Sequence, residues 1–84
     1  MITARQTRAA RALLGWTQET LAEKALVSLT ALKRLESESG LKVYETTRDQ
    51  VRRAFEANGI VFLNSDQGEG VMFVRAKVDS RKSP

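Results

Sequence analysis

Leu14-Gly15-Trp16-Thr17-Gln18-Glu19-Thr20-Leu21-Ala22, followed by Val27-Ser28-Leu29-Thr30-Ala31-Leu32-Lys33-Arg34-Leu35-Glu36, is the stretch whose reading decides the fold. Thr17 and Ser28 each stand just ahead of a helical apolar pattern, where a hydroxyl accepts a bond from a free first-turn N–H. The spacing predicts helices over about 18–25 and 29–37. In the first, Gln18, Leu21, Ala22 and Ala25 share a face; in the second, Ala31, Leu32 and Leu35 point inward. That leaves Leu29, Thr30, Lys33, Arg34 and Ser37 on one contiguous outer arc, which is polar and basic. Two short helices therefore meet at a tight corner.

Toward the N-terminus, Thr3-x-x-Gln6 is a capping-box pattern that opens a helix over about 3–14. Thr3, Thr7, Ala10 and Leu14 fall on one face with Leu13 beside them, Arg5 and Arg8 look away, and Gly15 ends the helix. Its Arg-rich, acid-free composition also fits an organelle transit peptide. The segment leads straight into the corner and supplies apolar surface, so we read it as helix.

Toward the C-terminus, Glu36-Ser37-Glu38-Ser39-Gly40 reads as a loop. Thr47-x-x-Gln50, a further capping box, predicts a fourth helix over about 47–58, with Val51, Ala54, Phe55 and Asn58 inward and Gly59 at its end. The period then changes to two. Ile60-Val61-Phe62-Leu63 and Val71-Met72-Phe73-Val74 read as strands of a hairpin over about 60–76. Asn64-Ser65-Asp66-Gln67-Gly68-Glu69-Gly70 would be its connection, with glycines for positive φ. Residues 1–78 are expected to form one domain and 79–84 a flexible tail.

Composition narrows the chemistry. The 84 residues are 42% hydrophobic and 29% charged, the balance of a globular chain with one modest core. No apolar run approaches the roughly 18 residues of a membrane span. With neither cysteine nor histidine, the chain lacks disulfides, thiolate metal sites and the usual nucleophiles and neutral-pH bases. An enzyme is not expected, and a reducing cytoplasm is the expected compartment. Fourteen Lys and Arg against ten Asp and Glu give a net charge of +4, which suits a polyanion without demanding one.

From about residue 8 to 36 the pattern L-G-x-[ST]-Q-x-x-L-A, then V-S-x-x-x-[IL]-x-x-L-E, resembles the helix-turn-helix of phage Cro and repressor proteins. These form the xenobiotic-response-element (XRE) family of bacteria, and the fourth helix and hairpin resemble its small single-domain members. The resemblance implies a mainly α fold, a four-helix repressor-like domain with a C-terminal β-hairpin. It implies a transcriptional regulator that puts its third helix into the major groove of double-stranded DNA. With little room for an effector domain, repression by occlusion is expected before activation, and no cofactor is implied. The alternative is a protein-binding module of the same fold, such as an anti-activator or antitoxin.

The resemblance also assigns residues. Gln18, at the first turn of its helix, is placed to touch the DNA backbone; the bland reading is a plain first-turn polar residue. Ser28 is foremost a cap, with phosphate contact secondary. Leu29, Thr30, Lys33 and Arg34 match positions that reach base edges: Arg34 fits guanine O6 and N7, and Thr30 or Leu29 a thymine methyl. An ordinary solvated face is the competing reading for Lys33 and Arg34. Lys42 and Tyr44 are candidate phosphate contacts, or simply loop residues. Arg11 and Glu36 sit where some members form a structural ion pair, and Trp16 reads as packing.

Two departures stand out. Leu26 occupies a corner that usually carries glycine; holding it left-handed costs on the order of 1–2 kcal/mol, unless the corner is built differently. Glu38 follows Glu36 near the expected phosphate path, where a negative charge opposes binding. The hairpin bears on assembly. If Ile60 and Phe62 pack on the fourth helix, Val61 and Leu63 face the other way, with Met72 or Phe73 outward too. Val61, Leu63, Met72 and Val74 are thus candidate contacts to a second copy, giving a homodimer, or to another protein. A hairpin wrapped by its own helices is the other reading.

Overall fold

The computed structural model describes residues 1–37 and 42–75. The order of elements is α1 (Ala4–Leu14), α2 (Gln18–Ala25), α3 (Leu29–Glu36), α4 (Glu45–Ala57), β1 (Ile60–Ser65) and β2 (Gly68–Phe73). The mainly helical fold with a closing antiparallel hairpin is the expected one. Calls on Glu38, on the Gly40 loop, on the last hairpin residue and on the 79–84 tail lie outside the described residues.

Three helix starts are set by hydroxyl caps. Thr3 accepts from Gln6 N in a complete capping box, Thr17 accepts from Thr20 N, and Ser28 accepts from Ala31 N. The fourth start corrects the sequence reading. Thr47 is no cap: α4 begins two residues earlier, behind Tyr44, whose side chain makes no capping bond. Tyr44 has the extended backbone of a cap (φ −70°, ψ 141°) without a short polar side chain to advertise it.

The ends of α1 and α2 are built alike. Trp16 N donates to Arg11 O and Gly15 N to Ala12 O; Val27 N donates to Ala22 O and Leu26 N to Glu23 O. Each closure needs one left-handed residue. Gly15 supplies it at φ 68°, whereas Leu26 adopts φ 59°, ψ 43° with its side chain 83% exposed. The corner keeps its usual geometry despite the leucine.

The core is Ile2, Ala10, Leu21, Ala22, Ala25, Leu32, Leu35, Val51, Phe55 and Ile60. Trp16 stacks on Phe55 with centroids 5.8 Å apart, and Phe62 meets the same ring edge-on at 5.9 Å. The expected face of α1 needs correction. Leu13 is exposed, Gln6 is buried, and Arg8 turns in to donate to the carbonyl of Glu36. Leu29, expected on the outer arc of α3, is half-buried against the core.

In the hairpin Ile60 faces Phe73, Val61 faces Met72, Phe62 faces Val71 and Leu63 faces Gly70. Only Asp66 and Gln67 make the turn, and neither Gly68 nor Gly70 has a positive φ. The glycines expected in the connection thus belong to β2. Gln6 fastens the hairpin to α1: its Nε2 donates to Gly70 O at 2.9 Å, Leu63 O at 3.1 Å and Asn64 Oδ1 at 3.3 Å. Thr3 also donates to Glu69, and Arg5 pairs with Glu69 at 3.1 Å. These bonds hold the Glu69 carboxyl below the usual glutamate range, the Thr3 hydroxyl first and Arg5 second.

Candidate nucleic-acid interface

The interface is set by what lies beneath α3. The Glu36 carboxylate is turned into the protein, with its side chain only 3% exposed. It takes both prongs of Arg11, from Nε at 2.7 Å and Nη2 at 2.8 Å, and a third bond from Gln18 Nε2 at 3.1 Å. Arg11 Nη1 donates to Trp16 O at 3.1 Å, and Arg8 holds the Glu36 carbonyl. One carboxylate therefore joins α1, α2 and α3. The Glu36 hydrogen bonds raise the Arg11 guanidinium above its ordinary value, so it stays charged. Removing either partner of such a buried pair would strand the other charge, typically at about 3–5 kcal/mol.

On the outer arc of α3, Thr30, Lys33 and Arg34 are exposed. Neither Lys33 nor Arg34 has an acidic partner among the described residues. Two cations and a hydroxyl thus lie on a helix anchored by four hydrogen bonds at Glu36. Leu29 offers only an edge to this arc, because the core takes the rest. Ser28 is exposed and its oxygen already accepts from Ala31 N at 3.0 Å, leaving the hydroxyl proton available.

Lys42 and Tyr44 come back to the same side. The Lys42 ammonium lies 5.6 Å from the centre of the Tyr44 ring, and both side chains are exposed. Together with Ser28, Thr30, Arg34 and Thr47 they line a notch of about 220 Å³. The first turn of α4, whose N-cap residue Tyr44 makes no side-chain capping bond, adjoins it. Hydroxyls, two cations and a helix N-terminus suit a phosphate oxygen.

Gln18 stands apart from that cluster. It is half-buried beside Glu36, and one amide proton is engaged there. The other remains for a phosphate, so the Glu36 bond fixes the direction in which Gln18 can donate. Val61, Leu63 and Met72 are exposed on the hairpin, remote in the chain from this cluster, and Val74 is half-buried beyond the end of β2. Trp16 packs inside, with Lys24 over its outer side at 5.3 Å. The sequence reading missed Arg8, Thr47 and the α4 start. Only Arg8 left a signal, lying one turn before Arg11 and so facing the same partner.

Residues 8–42 match the family model described as Helix-turn-helix. The match spans Arg8, Arg11, Gln18, Glu36 and the whole outer arc of α3. It bears out the resemblance to the XRE type: this segment is the element that DNA-binding regulators of that class use. No curated protein and no solved structure matches the chain. Among the described residues, no helix is long and apolar enough to cross a membrane.

Proposed function

We propose that this protein is a sequence-specific DNA-binding transcriptional regulator that represses by occupying its operator. α3 enters the major groove with Arg34 on a guanine edge, Lys33 on a base or phosphate, and Thr30 with the edge of Leu29 near a thymine methyl. Gln18, Ser28, Lys42 and Tyr44 hold the phosphates on either side. The observation that carries this reading is the arc itself. It bears two cations without acidic partners among the described residues, on a helix locked to α1 and α2 through Glu36. Two copies related by a twofold axis would present their α3 helices to a twofold-symmetric site.

The test uses fluorescence anisotropy on a site selected from random-sequence DNA. Arg34→Ala should lose about 1–3 kcal/mol on that site and relax discrimination at one base pair. Gln18→Ala should weaken cognate and scrambled DNA alike. Equal losses on both DNAs for Arg34→Ala would remove its base-reading role.

The exposed apolar hairpin favours a second reading, a protein-binding module that acts on a regulator or toxin. Replacing Thr30, Lys33 and Arg34 together by alanine separates the two readings, because Leu32 and Leu35 of the core are untouched. Regulation that survives this change in a folded domain belongs to the protein-binding module.

A further inference from the structure

The chain has two asparagines, Asn58 and Asn64, and Asn58 alone is followed by glycine. In an unfolded chain that pairing invites deamidation. The glycine nitrogen attacks the asparagine carboxamide carbon, and no Cβ on the glycine hinders the ring closure. Here the glycine is required by the fold. Gly59 has φ 94°, and a Cβ built on it would lie 3.0 Å from Phe73 Cε1 and 3.3 Å from Val74 O. Its carbonyl accepts from Val74 N at 2.7 Å, which closes the base of the hairpin. A labile dipeptide therefore forms the joint between α4 and β1.

The same joint restrains both reacting atoms. Asn58 Nδ2 donates to Ala54 O at 2.8 Å, which ties the carboxamide back against the preceding turn of α4. The attacking nitrogen is engaged too, since Gly59 N donates to Glu56 O at 3.2 Å. Gly59 is buried and Asn58 half-buried. At the Asn58 ψ of 20° the Gly59 nitrogen is turned away from Cβ, and ring closure needs the two eclipsed. Turning that peptide breaks the bond to Glu56 O and displaces the carbonyl that holds Val74 N.

We propose that Asn58 is a latent covalent modification site, deamidated only when the joint between α4 and β1 opens. The Gly59 N–H gives its proton to hydroxide, its nitrogen bonds to Asn58 Cγ, and the carboxamide nitrogen leaves as ammonia. The product is a five-membered succinimide. One water then opens the ring at either carbonyl. Opening at Cγ leaves an ordinary aspartate at position 58. Opening at the main-chain carbonyl leaves isoaspartate, whose backbone is one methylene longer. Nothing is oxidised or reduced. Either product has lost the donor to Ala54 O and places a negative charge at the C-terminus of α4, where the helix dipole opposes it. The modified joint closes less well, so opening is recorded irreversibly in the chain. None of this depends on what α3 binds.

Peptide mapping by mass spectrometry tests this on the full chain, incubated at mildly alkaline pH in native buffer and in guanidinium chloride. In denaturant Asn58 should convert ahead of Asn64, mainly to isoaspartate. In native buffer it should convert at least about tenfold more slowly, because reaction waits on local opening. The native rate should follow hydrogen exchange of the Gly59 amide, since both need the bond to Glu56 O broken. Phe73→Ala, which removes the ring packed on Gly59, should raise the native rate at least about threefold with helical circular dichroism retained. Equal rates in native buffer and denaturant overturn the proposal. So does an Asn58 that stays intact in denaturant, or one that reacts in the folded chain while the Gly59 amide remains protected.

Discussion

At the scale of single residues, Leu26 shows how geometry can prevail over propensity. Its closure repeats that of Gly15, bond for bond, yet a Cβ in the left-handed region is strained by about 1–2 kcal/mol. The exposed side chain offers little packing in return. Glycine would relieve the strain at a chain-entropy cost of about 0.5–1 kcal/mol. Leu26→Gly should therefore stabilise the domain by about 0.5–1 kcal/mol, seen as a higher urea midpoint at unchanged slope. A lower midpoint would mean that the leucine contributes a contact outweighing its strain. Thr3, Thr17 and Ser28 were legible in the sequence because a cap bonds only two or three residues ahead. Tyr44 was not, since its backbone does the work of a cap while its side chain bonds nothing there. Gly68 and Gly70 were misread because glycine suits a turn and a strand alike until φ is known.

At the scale of elements, the α1 start and the hairpin form one unit through Thr3, Arg5, Gln6 and Glu69. The sequence supplied the capping box but not its second use. Gln6 reaches partners 57–64 positions away, and no local pattern records so distant a pairing. The unit has a definite acid response. The Glu69 carboxyl titrates lower in the folded state than in the unfolded chain, so its contribution is complete above the ordinary glutamate value. It is lost as pH falls below that value and through the folded one. Acidification through that window should increase hydrogen exchange at Gly70 and its neighbours, before the amides of α2 and α3 respond. Glu69→Gln should flatten this local dependence; an unchanged profile would show that another carboxylate governs it.

At the scale of the whole molecule, two surfaces of opposite character share 84 residues: a cationic arc on α3 and a neutral face on the hairpin. Salt tells them apart. DNA binding through three or four phosphates per protomer should weaken with a log–log slope of roughly −0.9 for each phosphate neutralised. Association through the hairpin should change little over the same range, since apolar burial is not screened. A shallow slope for DNA would mean that Lys42 and Gln18 do not reach the backbone, and would move the functional reading toward the protein-binding module. The bonds of Gln6 also carry a consequence for synthesis. Residues 3–36 hold the whole Arg11–Glu36–Gln18 network and can assemble it early, while the rest of the chain is still being made. The buried Gln6 amide, by contrast, lacks its last acceptor until Gly70 has left the ribosome. On the nascent chain the N-terminal turn of α1 can therefore be sealed only after Gly70 has emerged, whereas the contacts of Glu36 with Arg11 and Gln18 need no residue beyond Glu36.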